Sequence, residues 1–173
     1  MNKNGFTLIE LLVTIAIAAV LMSVAVPSFR SLLVNNDIRA ESEAAKHLLK
    51  LARSEAIKRG SPVVVSSESD SWEDRWVMFV EDGAEGDGSE TNSYDTDDTL
   101  IFEKNAPSIP ISINVADSTE SISFSSNGLV ASRTGVSFYF CDPDNVLSGR
   151  SVEITRAGQI FSQDIEAGSA LCQ

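Results

Sequence analysis

Gly5-Phe6-Thr7-Leu8-Ile9-Glu10 opens an apolar run that continues without another charge to Val26. From Phe6 to Val26 a helix rising about 1.5 Å per residue extends roughly 30 Å, the thickness of a bilayer's hydrocarbon core. Glu10 then lies inside lipid, where an unpaired carboxylate costs at least a few kcal/mol and normally has a partner or a task. Two ordinary readings compete. A secretory signal cleaved near Ser23-Val24-Ala25 has an apolar region of about 7–15 residues, shorter than this one and without an acid. A plain membrane anchor accounts for the length but not for the Gly-Phe-Thr-x-x-Glu arrangement at its edge. Charge orients the segment weakly, with Lys3 on one side and Arg30 and Arg39 on the other.

The stretch GFTLIELLVTIAIAAVL, Gly5 to Leu21, resembles the prepilin signature of type IV pilins and the pseudopilins of type II secretion. The resemblance implies cleavage after Gly5 by a membrane prepilin peptidase and N-methylation of the new terminus, Phe6. It also implies that Glu10 pairs with the terminal amine of a neighbouring subunit during assembly, and that Thr7 is a further assembly residue. Two such charges are costly apart and tolerable together. Residues 1–5 are then a leader, and the N-terminus lies in the cytoplasm.

Beyond Val26, Pro27 lacks an N–H and clashes with the preceding turn, which predicts a kink or loosening there. Ile38, Ala45, Leu48, Leu49, Ala52 and Ala56 then recur at helical spacing and form a core-facing stripe. Glu55 and Arg59 make an i,i+4 pair on the other side, and Gly60-Ser61-Pro62 stops the helix. Residues 6–26 are thus read as the membrane and assembly segment, and 27–60 as an amphipathic stem.

From Pro62 the apolar period changes to two. Strands are expected at Val63–Ser66, Trp76–Val80, Leu100–Glu103, Ile109–Val115, Ser121–Phe124, Val136–Cys141 and Val152–Thr155. Ser126-Asn127-Gly128, Asp142-Pro143-Asp144-Asn145 and Ala157-Gly158 supply turns. Residues 61–173, about 110 of them, suffice for one globular head. The fold class is α+β.

Ala52-Arg53-Ser54-Glu55-Ala56-Ile57-Lys58-Arg59-Gly60 with Pro62-Val63-Val64-Val65 resembles the GspH/FimT branch of minor pilins and pseudopilins. The order of the later elements does so too: Trp72, Trp76, Phe79 and Asp82, then Ile122 to Gly128, then Arg150 to Ile154 and Gly158. That resemblance implies a type IV pilin-like fold, a long N-terminal helix packed on a mostly antiparallel two-sheet head. The expected function is a structural minor pilin that enters or primes a type IV pilus. The alternative is a GspH-like pseudopilin of a type II secretion system. The implied partners are other major and minor pilins, the prepilin peptidase and the inner membrane, with the head periplasmic before assembly and at the cell surface in the pilus afterwards.

Cys141 and Cys172 are the only cysteines, and an even count in an exported domain points to a disulfide, two free buried thiols being the other reading. The pair's place near the C-terminus resembles the pilus members of the branch more than the secretion members. A third reading is a DNA-binding minor pilin. Such relatives carry a Gly-Arg-x-Arg element near the C-terminus, whereas the matching stretch here is Gly158-Gln159-Ile160-Phe161, followed by Asp164 and Glu166. With a net charge of −12 the chain lacks the phosphate attraction that dominates DNA affinity. Arg133, Arg150 and Arg156 are the remaining basic candidates, and solvated charge is their ordinary reading.

Glu81 to Asp98 concentrates acids and glycines and reads as a solvated loop. Asp82, Asp87, Asp95 and Asp97 are the residues a calcium ion would use, but the spacing fails the EF-hand template, and no metal or cofactor is assigned. Triad catalysis and zinc sites generally lean on histidine, and the only one, His47, reads as a stem or head-packing residue, while nothing singles out a Ser-Lys or paired-carboxylate site. Trp72 and Trp76 read as core or edge aromatics. No enzymatic activity is expected.

Overall fold

The computed structural model describes residues 7–69, 71–80, 94, 98–108, 110–116, 119–131 and 135–172. Its first element, α1 (Leu8–Arg59), is a single helix of 52 residues, about 78 Å long at 1.5 Å per residue. It ends where Gly60 adopts φ 71° and returns its N–H to the Ala56 carbonyl, the left-handed cap that glycine alone adopts without a Cβ penalty. Lys58 and Arg59 occupy the last turn, where cations oppose the helix dipole favourably.

Pro27 does not break the helix: α1 is continuous through it. Proline forfeits one bond, to the carbonyl four residues back, and the apolar helix formers on both sides carry the helix across the gap. Burial, not the proline, divides α1. Residues 8–30 are exposed throughout, whereas Val34, Ile38, Ser42, Ala45, Leu48, Leu49, Ala52 and Ala56 are buried against the head. The six stripe residues read from the sequence are all among them.

Eight strands follow: β1 (Val63–Ser67), β2 (Trp76–Val80), β3 (Thr99–Lys104), β4 (Ser112–Val115), β5 (Ser121–Phe124), β6 (Val136–Cys141), β7 (Gly149–Ile154) and β8 (Ile160–Ile165). They form two four-stranded antiparallel sheets, ordered β3-β2-β1-β5 and β4-β6-β7-β8. Three expectations need correction. β4 begins at Ser112, later than the run expected from Ile109, which lies outside the described residues, and Pro110 has no N–H to give a ladder. β7 begins at Gly149, three residues early, because Gly149 and Arg150 pair with Ile165 and Asp164. β8 was not expected. It is an edge strand whose middle, Ser162-Gln163-Asp164, is polar, so it shows no apolar alternation.

The two sheets and α1 enclose one core in which Trp76, Phe124, Phe138, Phe140 and Leu49 are wholly buried. Trp72 stands edge-on to both Trp76 (4.7 Å between centroids) and Phe138 (4.8 Å), and so joins the first sheet to the second. Its indole N–H donates to the Thr119 carbonyl at 2.7 Å, and that of Trp76 donates to the Trp72 carbonyl at 2.7 Å, so neither polar edge is orphaned. β1 and β2 are buried on both faces. On the side away from this core Val64, Val77 and Phe79 make a second cluster, with the Tyr94 ring 5.5 Å from that of Phe79.

A disulfide joins Cys141, the last residue of β6, to Cys172 in a short 3-10 turn (Ala170–Cys172), with Cα atoms 5.7 Å apart. It holds the C-terminal segment under β6.

Candidate functional site

Thr7 and Glu10 form a capping box at the start of α1. The Thr7 backbone N–H and hydroxyl each donate to Glu10 Oε2 at 2.8 Å, and the Glu10 N–H donates to Thr7 Oγ1 at 3.3 Å. The spacing of three places the two side chains on one face, and the exposed helix start carries the partial positive charge that favours an anion. The carboxylate is therefore held in a fixed place at the tip of the arm. Gly5 and Phe6 lie outside the described residues.

The arm that follows presents apolar surface on every side, with Leu8 77%, Val20 67% and Val24 70% exposed. Its hydroxyls turn inward on its own backbone: Thr14 donates to the Leu11 carbonyl at 2.8 Å, Ser23 to Val20 at 2.7 Å and Ser28 to Val24 at 3.2 Å. A segment so satisfied suits a medium without water, where each orphaned polar group costs several kcal/mol. Among the described residues α1 is the helix long and apolar enough to cross a membrane.

The head is fastened to the second half of α1 by charge as well as apolar contact. Arg53 donates from Nε to the Gly128 carbonyl at 3.0 Å and from Nη2 to the Ala157 carbonyl at 3.2 Å, clamping two turns of the head to the stem. Gly158 is obligatory beside this clamp: its φ is 72°, and a Cβ there falls 2.6 Å from Arg53 Nε. Lower on the stem Lys46 meets Glu43 at 3.3 Å and Ser162 of β8 at 3.0 Å, and Arg150 of β7 lies 3.7 Å from Glu43 and 3.4 Å from Asp164. The hydrogen bond from Lys46, more than any other contact, holds the Glu43 carboxyl below the usual range. Lys104 at the end of β3 reaches Glu41 at 2.5 Å and lies 5.4 Å from the Trp76 ring centre.

At the foot of β2, Arg75 binds Glu68 bidentately and Glu103 at 3.0 Å. Those hydrogen bonds lower the Glu68 pKa and raise that of Arg75. Glu55 is lowered in the same way by Arg59, the i,i+4 partner expected from the sequence, at 2.9 Å.

The basic candidates do not gather. Arg150 is committed to Glu43 and Asp164, Arg156 is exposed in the turn after β7, and Arg133 lies outside the described residues. Asp82, Asp87, Asp95 and Asp97 also lie outside them, and among the described residues no group of three metal-ligating side chains is assembled. His47 is exposed on α1. Trp72 and Trp76 belong to the core. The Arg53 clamp and the Lys104–Glu41 pair escaped the sequence reading, for their partners lie 75 and 63 residues away.

An apolar, self-satisfied helical arm with an acid at its tip, continuous with a stem that carries a two-sheet head, defines a pilin-like protein. The chain belongs to the family described as type II transport protein GspH, whose model matches residues 41–158, and the prokaryotic N-terminal methylation motif matches residues 1–26. Among solved structures it is similar to the type IV minor pilin FimU of Pseudomonas aeruginosa strain PAO1. In one crystal form FimU is 18% identical over 72% of this chain and 91% of its own, with a TM-score of 0.56, and in another 19% identical over 75% and 90%, with a TM-score of 0.58. The minor pseudopilin EpsH from the type 2 secretion system of Vibrio cholerae is 13% identical over 78% of this chain and 99% of its own, with a TM-score of 0.48. No curated protein matches the chain.

Proposed function

We propose that the chain is a minor pilin, a non-catalytic structural subunit that enters or primes a type IV pilus. In this reading the peptidase cleaves after Gly5, Phe6 is methylated, and residues 6–26 hold the subunit as a single pass in the inner membrane. Residues 27–60 form the stem, and the head of residues 61–173 lies in the periplasm until assembly lifts the subunit into the filament among other pilins. The observation that carries it is the fully exposed apolar arm ending in the Thr7–Glu10 box. Among the described residues nothing covers this arm, and a bilayer followed by a bundle of like helices would cover it in turn. Thr7 fixes the Glu10 carboxylate, and Glu10 docks the amine of a neighbour.

The pilus is favoured over a secretion machine by the Cys141–Cys172 bridge, the feature by which the sequence leans toward pilus subunits. The family description supports the second reading, a pseudopilin of type II secretion. Glu10→Ala tests the docking role. The variant is expected to be cleaved and membrane-bound at native levels but depleted from sheared filaments, and undiminished incorporation would remove Glu10 from assembly.

A further inference from the structure

Two exposed apolar side chains stand at one end of the head. Val146, 69% exposed, follows the turn between β6 and β7, and Leu171, 48% exposed, lies in the C-terminal 3-10 turn. The two segments are fastened together. The Gly168 N–H donates to the Asn145 carbonyl at 3.1 Å, Asn145 Nδ2 donates to the Ser169 carbonyl at 3.1 Å, and the disulfide lies between them. The β6–β7 turn is itself rigid, since buried Asp142 accepts the N–H groups of Asn145 (2.8 Å, on its carbonyl) and Val146 (3.1 Å, on its carboxylate). Side chains held this way lose little freedom on being covered.

Their height on the stem decides what covers them. The head climbs α1 in register: Arg53 meets the turns at Gly128 and Ala157, Lys46 meets Ser162, and the Asp142-Pro143-Asp144 turn lines a cleft with Arg30, Leu33 and Val34. This turn is thus at the foot of the head. Arg30 and Val34 are four and eight residues beyond Val26, about 6 and 12 Å along the helix. Phospholipid headgroups occupy about 5–7 Å on each side of the hydrocarbon core. With residues 6–26 in the bilayer, Arg30 is at headgroup level and the turn beside it stands between that level and about 5 Å above it, tethered there by its own helix.

We infer that the foot of the head, Val146 and Leu171 with the cleft beside Arg30, is a docking surface for the zwitterionic phospholipid of the membrane that holds the subunit before assembly. Arg30 offers a cation to the phosphate, and exposed Asp144 and Glu166 offer carboxylates to the ammonium group while opposing an anionic surface. Docking holds the head upright over its anchor and must be released when the subunit leaves the membrane. The inference rests on residues 6–26 being the span.

The test places a photoreactive benzophenone amino acid singly at Val146, at Leu21 within the span and at Ile57 near the top of the stem, in the full chain reconstituted in phosphatidylcholine–phosphatidylethanolamine vesicles. Lipid adducts after irradiation are counted by mass spectrometry of the intact chain. Adducts are expected at positions 21 and 146, with position 146 several-fold above position 57, and a several-fold loss at 146 alone in phosphatidylglycerol vesicles. Labelling at 146 equal to that at 57, or cross-links from 146 to a second copy of the chain in place of lipid, would overturn the docking surface while position 21 still reports the span. Equal labelling at 146 in both lipids would overturn the zwitterionic assignment. Absence of lipid adducts at position 21 would overturn the membrane reading beneath it.

Discussion

Lys104 and Glu41 connect the edge of the first sheet to the stem, and their removal one at a time and together tests how the head is held. The ammonium is 2.5 Å from Glu41 Oε2, with the two side chains 10% and 21% exposed. At that distance and an effective dielectric constant near 20, the gross attraction is about 6–7 kcal/mol. Desolvating the two ions costs several kcal/mol each, so the pair as a whole adds little. The contact is an ion pair rather than an aligned hydrogen bond, Glu41 Oε2 having no hydrogen-bond partner. Loss of one partner strands the other. A fully buried charge stranded in this way costs about 3–5 kcal/mol, and with a fifth of Glu41 in solvent we expect about 2–4 kcal/mol for Glu41→Gln or Lys104→Met. The double variant Glu41→Leu with Lys104→Met should return to within about 1–2 kcal/mol of the native chain. Urea unfolding of the full chain in detergent micelles, followed by the fluorescence of Trp72 and Trp76, gives all four stabilities; urea leaves the charges unscreened. Additive losses in the double variant, or single losses below about 0.5 kcal/mol as for a surface pair, would refute the account of a buried, coupled pair.

Two further outcomes follow from the same contacts. Cys141→Ser with Cys172→Ser opens a loop spanning 31 residues and is expected to cost about 3–4 kcal/mol in the chain-entropy model; urea midpoints of oxidised, reduced and variant chains measure it, and identical midpoints would contradict it. The folded-state pKa of Glu43 is lowered from an ordinary 4.5, so its contribution is fully present above that value and is lost as pH falls through the lowered one. The stability difference between the native chain and Glu43→Gln should therefore be constant from pH 7 to about 5 and shrink below about 4.5. A difference that shrinks between pH 7 and 5.5 would mean that Lys46 and Arg150 do not act through the carboxylate.

The parts of the fold legible in the sequence are those whose causes are local. Ile38, Ala45, Leu48, Leu49, Ala52 and Ala56 repeat with the helix and are all buried, and β2, β5 and β6 match their apolar runs residue for residue. The unread parts are set by partners far along the chain. β8 exists because Ile160 to Ile165 pair with β7, and in its polar middle Ser162 and Asp164 meet Lys46 and Arg150 at an open edge. Gly149, a poor strand former, and Arg150 are in β7 through that same pairing. Pro27 does not end the helix because its clash is a local penalty of about 3 kcal/mol, outweighed by a helix that continues on both sides. Of the site, Glu10 was legible from its place in an apolar run. Its bond to Thr7 was equally legible but went unread, since Thr-x-x-Glu just before an apolar run is the sequence signature of a capping box. The Arg53 clamp leaves no trace in a single sequence, where an arginine on a stem reads as ordinary surface charge.

A processed pilin is recognised first by the N-terminus of its mature subunit. Mass spectrometry of the N-terminal peptide, taken from sheared surface filaments and from the membrane fraction of the same cells, measures it directly. The expected result is a chain beginning at N-methylated Phe6 in the filaments. A chain beginning after Ala25, or one that retains Met1 and is confined to membranes, would contradict the account.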